Sequence, residues 1–250
     1  MKNSVILLQH NMAPGTFIMV DGMDGSGKST VVEGWKSYLT QRGNTIFDLK
    51  EYWKKFGSYP EYSELKNYDF IFSCEPTYTA IGKTIREELI KNGTAYPPLA
   101  VAEAYSLDRL ILYTKIIIPV LSEGKCVIQD RGVSTSLCYQ PLTGGLDTAA
   151  VAHLPGNQLA LEQRPDHLVI VSVSPETSLK RLSVRNEKQD NVIFENADFQ
   201  SRVGARYASP EYRKLFTDRG TQVHDLSGEQ EIGIMNERAL DLLKTLVPNL

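Results

Sequence analysis

The stretch Gly22-Met23-Asp24-Gly25-Ser26-Gly27-Lys28-Ser29, followed by Thr30, fits the pattern G-x-x-x-x-G-K-S/T. Residues of those types at that spacing bind phosphate. The glycines let the backbone wrap an anion and aim its N–H groups at it, and a helix starting here adds its positive end. Lys28 is then placed to reach the β- and γ-phosphates of a nucleoside triphosphate, and Ser29 to hold Mg²⁺. A glycine-rich turn without nucleotide is the competing reading. The apolar run before the loop and the helical pattern after it disfavour that alternative. Asp24 inside the loop also suits a plain turn beside glycine.

A second chemical pair, Asp130-Arg131, closes another apolar run. A nucleotide hydrolase using water more often carries Glu after such an Asp, whereas an arginine at a strand end can bridge donor and acceptor phosphates. A surface ion pair is the simpler alternative. No Asn-Lys-x-Asp tetrad occurs, which argues against a guanine-nucleotide switch. Phosphoryl transfer to a second, phosphorylated substrate is the reaction class implied. Tyr105 and Arg109 are four apart on a predicted helix and share a face. There a ring can stack on a base while a guanidinium donates to its carbonyl, although the spacing equally fits a half-buried aromatic beside a surface arginine. Arg181, Arg185 and Lys188 cluster further on, either to neutralise a transferring phosphoryl group or as a solvated helix face.

These residues need elements to hold them. Phe17 to Val20 reads as a buried strand emptying into the loop, and Val32, Trp35 and Leu39 give the following helix its apolar face, with Gly43 as its stop. Further strands are predicted at Tyr68 to Cys74, Cys126 to Gln129, His167 to Val173 and Thr221 to Leu226. Between them run a helix carrying Ile81, Ile85, Leu89 and Ile90, and a long helix from about Leu99 to Glu123. Ser174-Pro175 starts another helix, and Ser227-Gly228-Glu229-Gln230 resembles a capping box before a last helix with Ile232, Met235, Ala239, Leu242 and Leu246. The alternation implies an α/β fold with a doubly wound, five-stranded parallel sheet flanked by helices, with ligands at the carboxyl ends of its strands. Residues 44–67 and 141–164 do not follow the alternation.

A chain of 250 residues and 28.0 kDa buries a core as one domain without staples. A net charge of −3 and a pI near 5.9 argue against a nucleic-acid coat or an anionic-membrane binder, both of which need a basic footprint, so any phosphate binding must be local. The odd set Cys74, Cys126 and Cys138 lacks metal-ligand spacing and implies reduced thiols in a cytoplasm. Val5 to Leu8 is too short for a signal or membrane segment, so residues 1–13 are expected to be a leader.

Taken in order from about Phe17 to Leu243, the motifs resemble the thymidylate kinase family. Phe17 to Thr30 is similar to that family's phosphate loop, including the acid at Asp24. Glu75-Pro76-Thr77 with Ile81-Gly82-Lys83 and Ile85-Arg86-Glu87 resembles its Glu-Pro loop and the helix beyond. Tyr105 to Arg109 looks like its thymine clamp. Asp130-Arg131 with Ser136, Tyr139 and Gln140 resembles its acceptor segment, with Tyr139 near the sugar's 2-position. Arg164-Pro165-Asp166, Ser174-Pro175-Glu176, Arg181, Arg185 and Phe194-Glu195 follow its strand-to-lid pattern.

The resemblance implies one P-loop kinase domain over 1–250, with an atypical insertion at about 44–67 and a mobile lid at about 182–197. The implied reaction uses Mg-ATP and dTMP and gives dTDP. Lys28, Arg131, Asp24 and Arg185 would be catalytic, and Gly22 to Thr30 with Arg181 would bind ATP. Glu75, Tyr105, Arg109, Ser136, Tyr139 and Gln140 would bind the acceptor, and Ser29, Asp24, Asp130 and Glu195 the metal. A homodimer packed through helices is implied, without nucleic-acid or membrane partners. Three features depart from the pattern: Cys74 stands where the family often has the arginine that grips the acceptor phosphate, Gly132 where it usually has an aromatic or His, and Gly25 where some members carry a loop arginine. The alternatives are a kinase for another deoxynucleoside or its monophosphate, and a regulatory nucleotide-binding protein without turnover.

Overall fold

The computed structural model describes residues 15–91, 93, 96–184 and 197–248. The leader, Arg185, Lys188 and Glu195 therefore lie outside the described residues, as does most of the expected lid.

The loop is preceded by β1 (Phe17–Asp21) and followed by α1 (Lys28–Gln41). Every residue of β1 is buried. Alternate residues face opposite sides of a strand, so a strand covered by helices on both faces is apolar on both, here from Phe17 to Val20, and only its last residue, Asp21, is polar. Phe17 and Met19 pack into one core, while Ile18 and Val20 pack into another with Val31, Trp35 and Leu39 of α1. Gly43 follows α1 at φ 84°, as its stop position predicts.

The sheet has six parallel strands in the order β2-β3-β4-β1-β5-β6, one more than the five predicted. The extra strand is β2 (Ile46–Asp48), three half-buried residues at the edge beside β3 (Phe70–Cys74). A strand so short, ending in an acid, carries no readable alternation. Residues 44–67 hold β2, α2 (Leu49–Phe56) and α3 (Tyr62–Leu65). Asp48 caps α2 by accepting from the Glu51 N–H, and Leu49, Trp53 and Leu65 reach the core.

Beyond β3 come α4 (Ala80–Thr84) and one π-helical turn at Ile85–Leu89. The predicted long helix is α5 (Pro98–Leu112), a π turn at Tyr113–Ile117, and α6 (Ile118–Ser122). Pro119 explains the interruption, since it has no N–H and its ring would clash with the carbonyl four residues back. Then β4 (Cys126–Asp130) leads to α7 (Val133–Tyr139), and α8 (Thr148–Ala152) and α9 (Pro155–Glu162) precede β5 (His167–Ser172). The chain continues through α10 (Pro175–Val184), α11 (Ala197–Ala208), α12 (Pro210–Thr217), β6 (Gln222–Ser227) and α13 (Ile232–Leu246).

The start of one helix differs from expectation. The capping-box residues do not cap α13, whose N-cap is Glu231; Glu229 instead accepts from the Ser174 N–H and from Thr177 Oγ1 at 2.8 Å, bracing the start of α10. On α13 the core face holds Met235, Ala239, Leu243 and Leu246, with Ile232 turned to solvent. Trp35 of α1 donates to the Ala239 carbonyl at 2.7 Å, joining the two helices on that face of the sheet. Among the described residues no helix is long and apolar enough to cross a membrane.

Candidate active site

In this strand order the carboxyl ends of β3, β4 and β1 lie side by side, so the loops that follow them meet in space. Position 25 is glycine for two reasons. Its φ is 74°, and a Cβ there would lie 2.8 Å from the Ser178 carbonyl of α10. The arginine some relatives of this pattern carry at that position has no room here. Ser178 Oγ donates to the Asp24 carbonyl at 2.6 Å, and Arg181 donates to the Gly25, Ser26 and Gly228 carbonyls. The start of α10 thus braces the phosphate loop from behind, and Arg181 reaches backbone oxygens of that loop.

Lys28 is 6% exposed and donates to the Met23 carbonyl at 2.7 Å. Burial, reinforced by Arg131, pushes its ammonium down to about 8, against the opposing pull of Asp24, Asp130 and Asp21. Ser29 Oγ donates to Asp130 Oδ2 at 3.3 Å. The other oxygen, Asp130 Oδ1, is buried and accepts no hydrogen bond among the described residues.

Arg131 has φ 65°, in the left-handed region that disfavours side chains, a strain found most often at functional sites. Its N–H donates to the Val20 carbonyl at 2.9 Å, which fixes the turn. The guanidinium pairs with Asp24, lies 3.7 Å from Asp21 Oδ1 and sits 5.7 Å from the Tyr139 ring centroid. Tyr139 and Gln200 also donate to Asp24 Oδ2, both at 3.4 Å. Burial alone would raise the Asp24 carboxyl, but Arg131, Lys28 and those two donors outweigh it and hold it below the ordinary carboxylate range. At Gly132, the residue after Arg131, a Cβ would meet only the flexible side-chain ends of Met19 (Sδ at 2.8 Å) and Gln129 (Nε2 at 2.9 Å).

Glu75 and Arg109 form the other half. They pair at 2.5 Å with side chains 3% and 1% exposed. Arg109 also donates to Asn157 Oδ1 and, at 3.1 Å, to Ser136 Oγ, while Gln129 Nε2 donates to Glu75 Oε1 at 3.1 Å. Burial drives the Glu75 carboxyl up against the opposing pull of Arg109. Gln140 Nε2 donates to Ser136 Oγ at 3.3 Å, and Gln140 Oε1 is buried without a hydrogen bond among the described residues. Tyr105 is half-buried on the same helix as Arg109, and burial raises its hydroxyl to about 12.

The structure therefore gathers Lys28, Ser29, Asp24, Asp130, Arg131 and Tyr139 at the phosphate loop, with Glu75, Arg109, Ser136 and Gln140 beside them. Arg109 is a buried network residue rather than the surface arginine that helix spacing allowed. Sequence reasoning passed over four contributors. Asp21 accepts from Gly22 N–H at 2.8 Å, Thr135 Oγ1 at 2.7 Å and Ser134 Oγ, and its place at the end of an apolar strand was a usable signal. Asp108 accepts from the Thr77 N–H at 2.8 Å and Oγ1 at 2.7 Å, tying the Glu-Pro loop to α5. Gln200 and Asn157 arrive from distant helices and had no local signal.

A parallel α/β sheet with a phosphate loop after β1 and an arginine at the end of β4 defines a P-loop phosphotransferase. The sequence model of the thymidylate kinase family matches residues 61–233. The thymidylate kinase of Carboxydothermus hydrogenoformans is 31% identical over 76% of this chain and 80% of its own length. Those of Caldanaerobacter subterraneus (30%, covering 77% and 80%) and Clostridium novyi (27%, covering 93% and 100%) are similar. This chain belongs to the thymidylate kinase family.

Proposed function

We propose that the protein transfers the γ-phosphoryl group of ATP to the 5′-phosphate of dTMP, giving ADP and dTDP. The observation that carries this reading is Arg131, held in a strained turn between the phosphate loop and the Glu75–Arg109 network. From there one guanidinium can touch both a triphosphate on Lys28 and a monophosphate entering from the Glu75 side. Charge in phosphoryl transfer spreads over the transferring oxygens, so catalysis rests on positioned cations and in-line alignment. Lys28 would leave the Met23 carbonyl for the donor phosphates. Asp24, kept ionised, would orient Arg131 and accept from a sugar hydroxyl. The base would lie along Tyr105, with its edge against Gln140, Ser136 and Arg109.

Magnesium fits the loop. Ser29 and Asp130 offer hard oxygens side by side, and the buried Asp130 Oδ1 has no donor among the described residues. When bound, the ion would neutralise donor phosphate charge. The three cysteines are free and buried, which supports a reducing cytoplasm as the compartment. The homodimer that the family resemblance implies would be tested by sedimentation. The function itself is tested by ADP release with a panel of nucleoside monophosphates: release on adding dTMP supports the reading, and none with any acceptor overturns it.

A further inference from the structure

Helix α2, in the segment that departs from the family pattern, brings cations to the Glu-Pro loop. Lys50 and Lys54 lie 5.7 and 5.5 Å from the centroid of the Tyr78 ring, and Arg86 lies 4.0 Å from it. Thr79 Oγ1 donates to the Gly57 carbonyl at 2.7 Å, which fixes the end of α2 to this loop. Like charges gathered on one ring repel unless an anion joins them. Lys54 is already paired with Glu51 at 2.9 Å. Lys50 is half-buried and makes no hydrogen bond or ion pair among the described residues. Arg86 donates Nε to the Pro76 carbonyl at 2.9 Å and the Thr77 carbonyl at 3.2 Å, and Nη2 to Pro76 as well. Its Nη1 has no hydrogen bond among the described residues.

These two free donors border the reacting centre. Cys74 pairs in register with Asp130, and the Glu75 N–H donates to the Asp130 carbonyl at 3.0 Å, so the end of β3 abuts the end of β4. Arg86 acts electrostatically on both the Cys74 thiol and the Tyr105 hydroxyl; Lys50 also acts on the thiol, and Arg131 on the hydroxyl. Lys50 and Arg86, which share the Tyr78 ring, thus sit on the loop that follows β3, next to the Asp130-Arg131 turn that follows β4. The thiol itself is buried and kept neutral, so position 74 brings no charge to an anion there.

We propose that Lys50 and the free Nη1 of Arg86 hold the acceptor's 5′-phosphate, α2 supplying the charge that position 74 lacks. The proposal rests on the kinase reading above. Its consequence is selectivity for a nucleoside monophosphate over the nucleoside.

The test measures KM for dTMP and for ATP, and the affinities for dTMP and thymidine by calorimetry, in the unmodified protein and in Lys50→Ala, Lys50→Arg and Lys54→Ala. Lys50→Ala is expected to raise KM for dTMP about 10- to 100-fold with KM for ATP unchanged, and to erase most of the preference for dTMP over thymidine. Lys50→Arg should restore most of that preference, and Lys54→Ala should behave as unmodified. Arg86→Lys, which keeps a cation on the loop, should give a smaller rise. A Lys50→Ala protein that is folded and still prefers dTMP over thymidine as strongly as the unmodified protein overturns the clamp. Failure of the kinase reading looks different: the unmodified protein then turns over another monophosphate better, and the same variants tested with that acceptor against its nucleoside decide the clamp.

Discussion

At the scale of single residues, the proposed reaction asks Lys28 and Arg131 to divide the work of charge. Lys28 rests at about 8 because it is buried beside Arg131. Binding of donor phosphates adds anions next to it and raises that value again, so the bound state holds more protons. Affinity for ATP is therefore fully present below pH 8 and weakens as pH rises through 8 towards the bound value. Calorimetry in buffers of different ionisation heat should show proton uptake at about pH 9 and none attributable to the protein in Lys28→Ala. That variant should remain folded and lose about 100-fold or more in kcat. Arg131 matters most as charge moves between phosphates. Arg131→Ala should lower kcat much more than it raises KM for ATP. A change confined to the acceptor KM would make Arg131 a binding residue only. The phosphate loop and Asp130-Arg131 were legible because their chemistry demands a fixed local spacing. The strain at Arg131 was not, since a left-handed φ at a non-glycine residue leaves no mark in the sequence.

Elements carry the acceptor half. Glu75 comes from the end of β3 and Arg109 from the middle of α5, and their pairing at 2.5 Å ties the two together. Both charges are almost out of water, so removing one strands the other. Arg109→Ala should cost about 3–5 kcal/mol of stability, visible as a lower melting temperature without added nucleotide. Replacing the pair by apolar residues of similar volume should cost less, because no charge is then left buried and unmatched. Helix spacing alone put Tyr105 and Arg109 on one face but could not tell an exposed arginine from a buried one, because the partner Glu75 lies 34 residues away. For the same reason β2 went unseen: three half-buried residues make a strand only because β3 offers an edge to pair with. The long, buried central strands, by contrast, announce themselves through unbroken apolar runs such as Phe17 to Val20.

For the whole molecule, sheet order decides what the cleft can accept. Placing β1 next to β4 and β4 next to β3 sets the phosphate loop, Arg131 and the Glu75–Arg109 network in one row, and under the proposed reaction that network would face the base. At the far end of that row Gln140 Oε1 is buried and accepts no hydrogen bond among the described residues, and Arg109 stands behind Ser136. A buried acceptor calls for a donor, and a guanidinium calls for an oxygen. Thymine and uracil offer both, a ring N–H beside a carbonyl oxygen. Cytosine offers an unprotonated nitrogen beside an amino group, which would face an acceptor and a donor respectively and leave each unmatched. Each buried group without a partner costs about 1–3 kcal/mol. Dispersion and burial of the thymine methyl add a smaller preference, about 1–3 kcal/mol at most. The expected order of kcat/KM is therefore dTMP above dUMP, with dCMP and the purine monophosphates far behind. Measuring these acceptors side by side tests the order, and dCMP or dGMP performing as well as dTMP would overturn the assignment of the base site while leaving the phosphate loop and Arg131 in their roles.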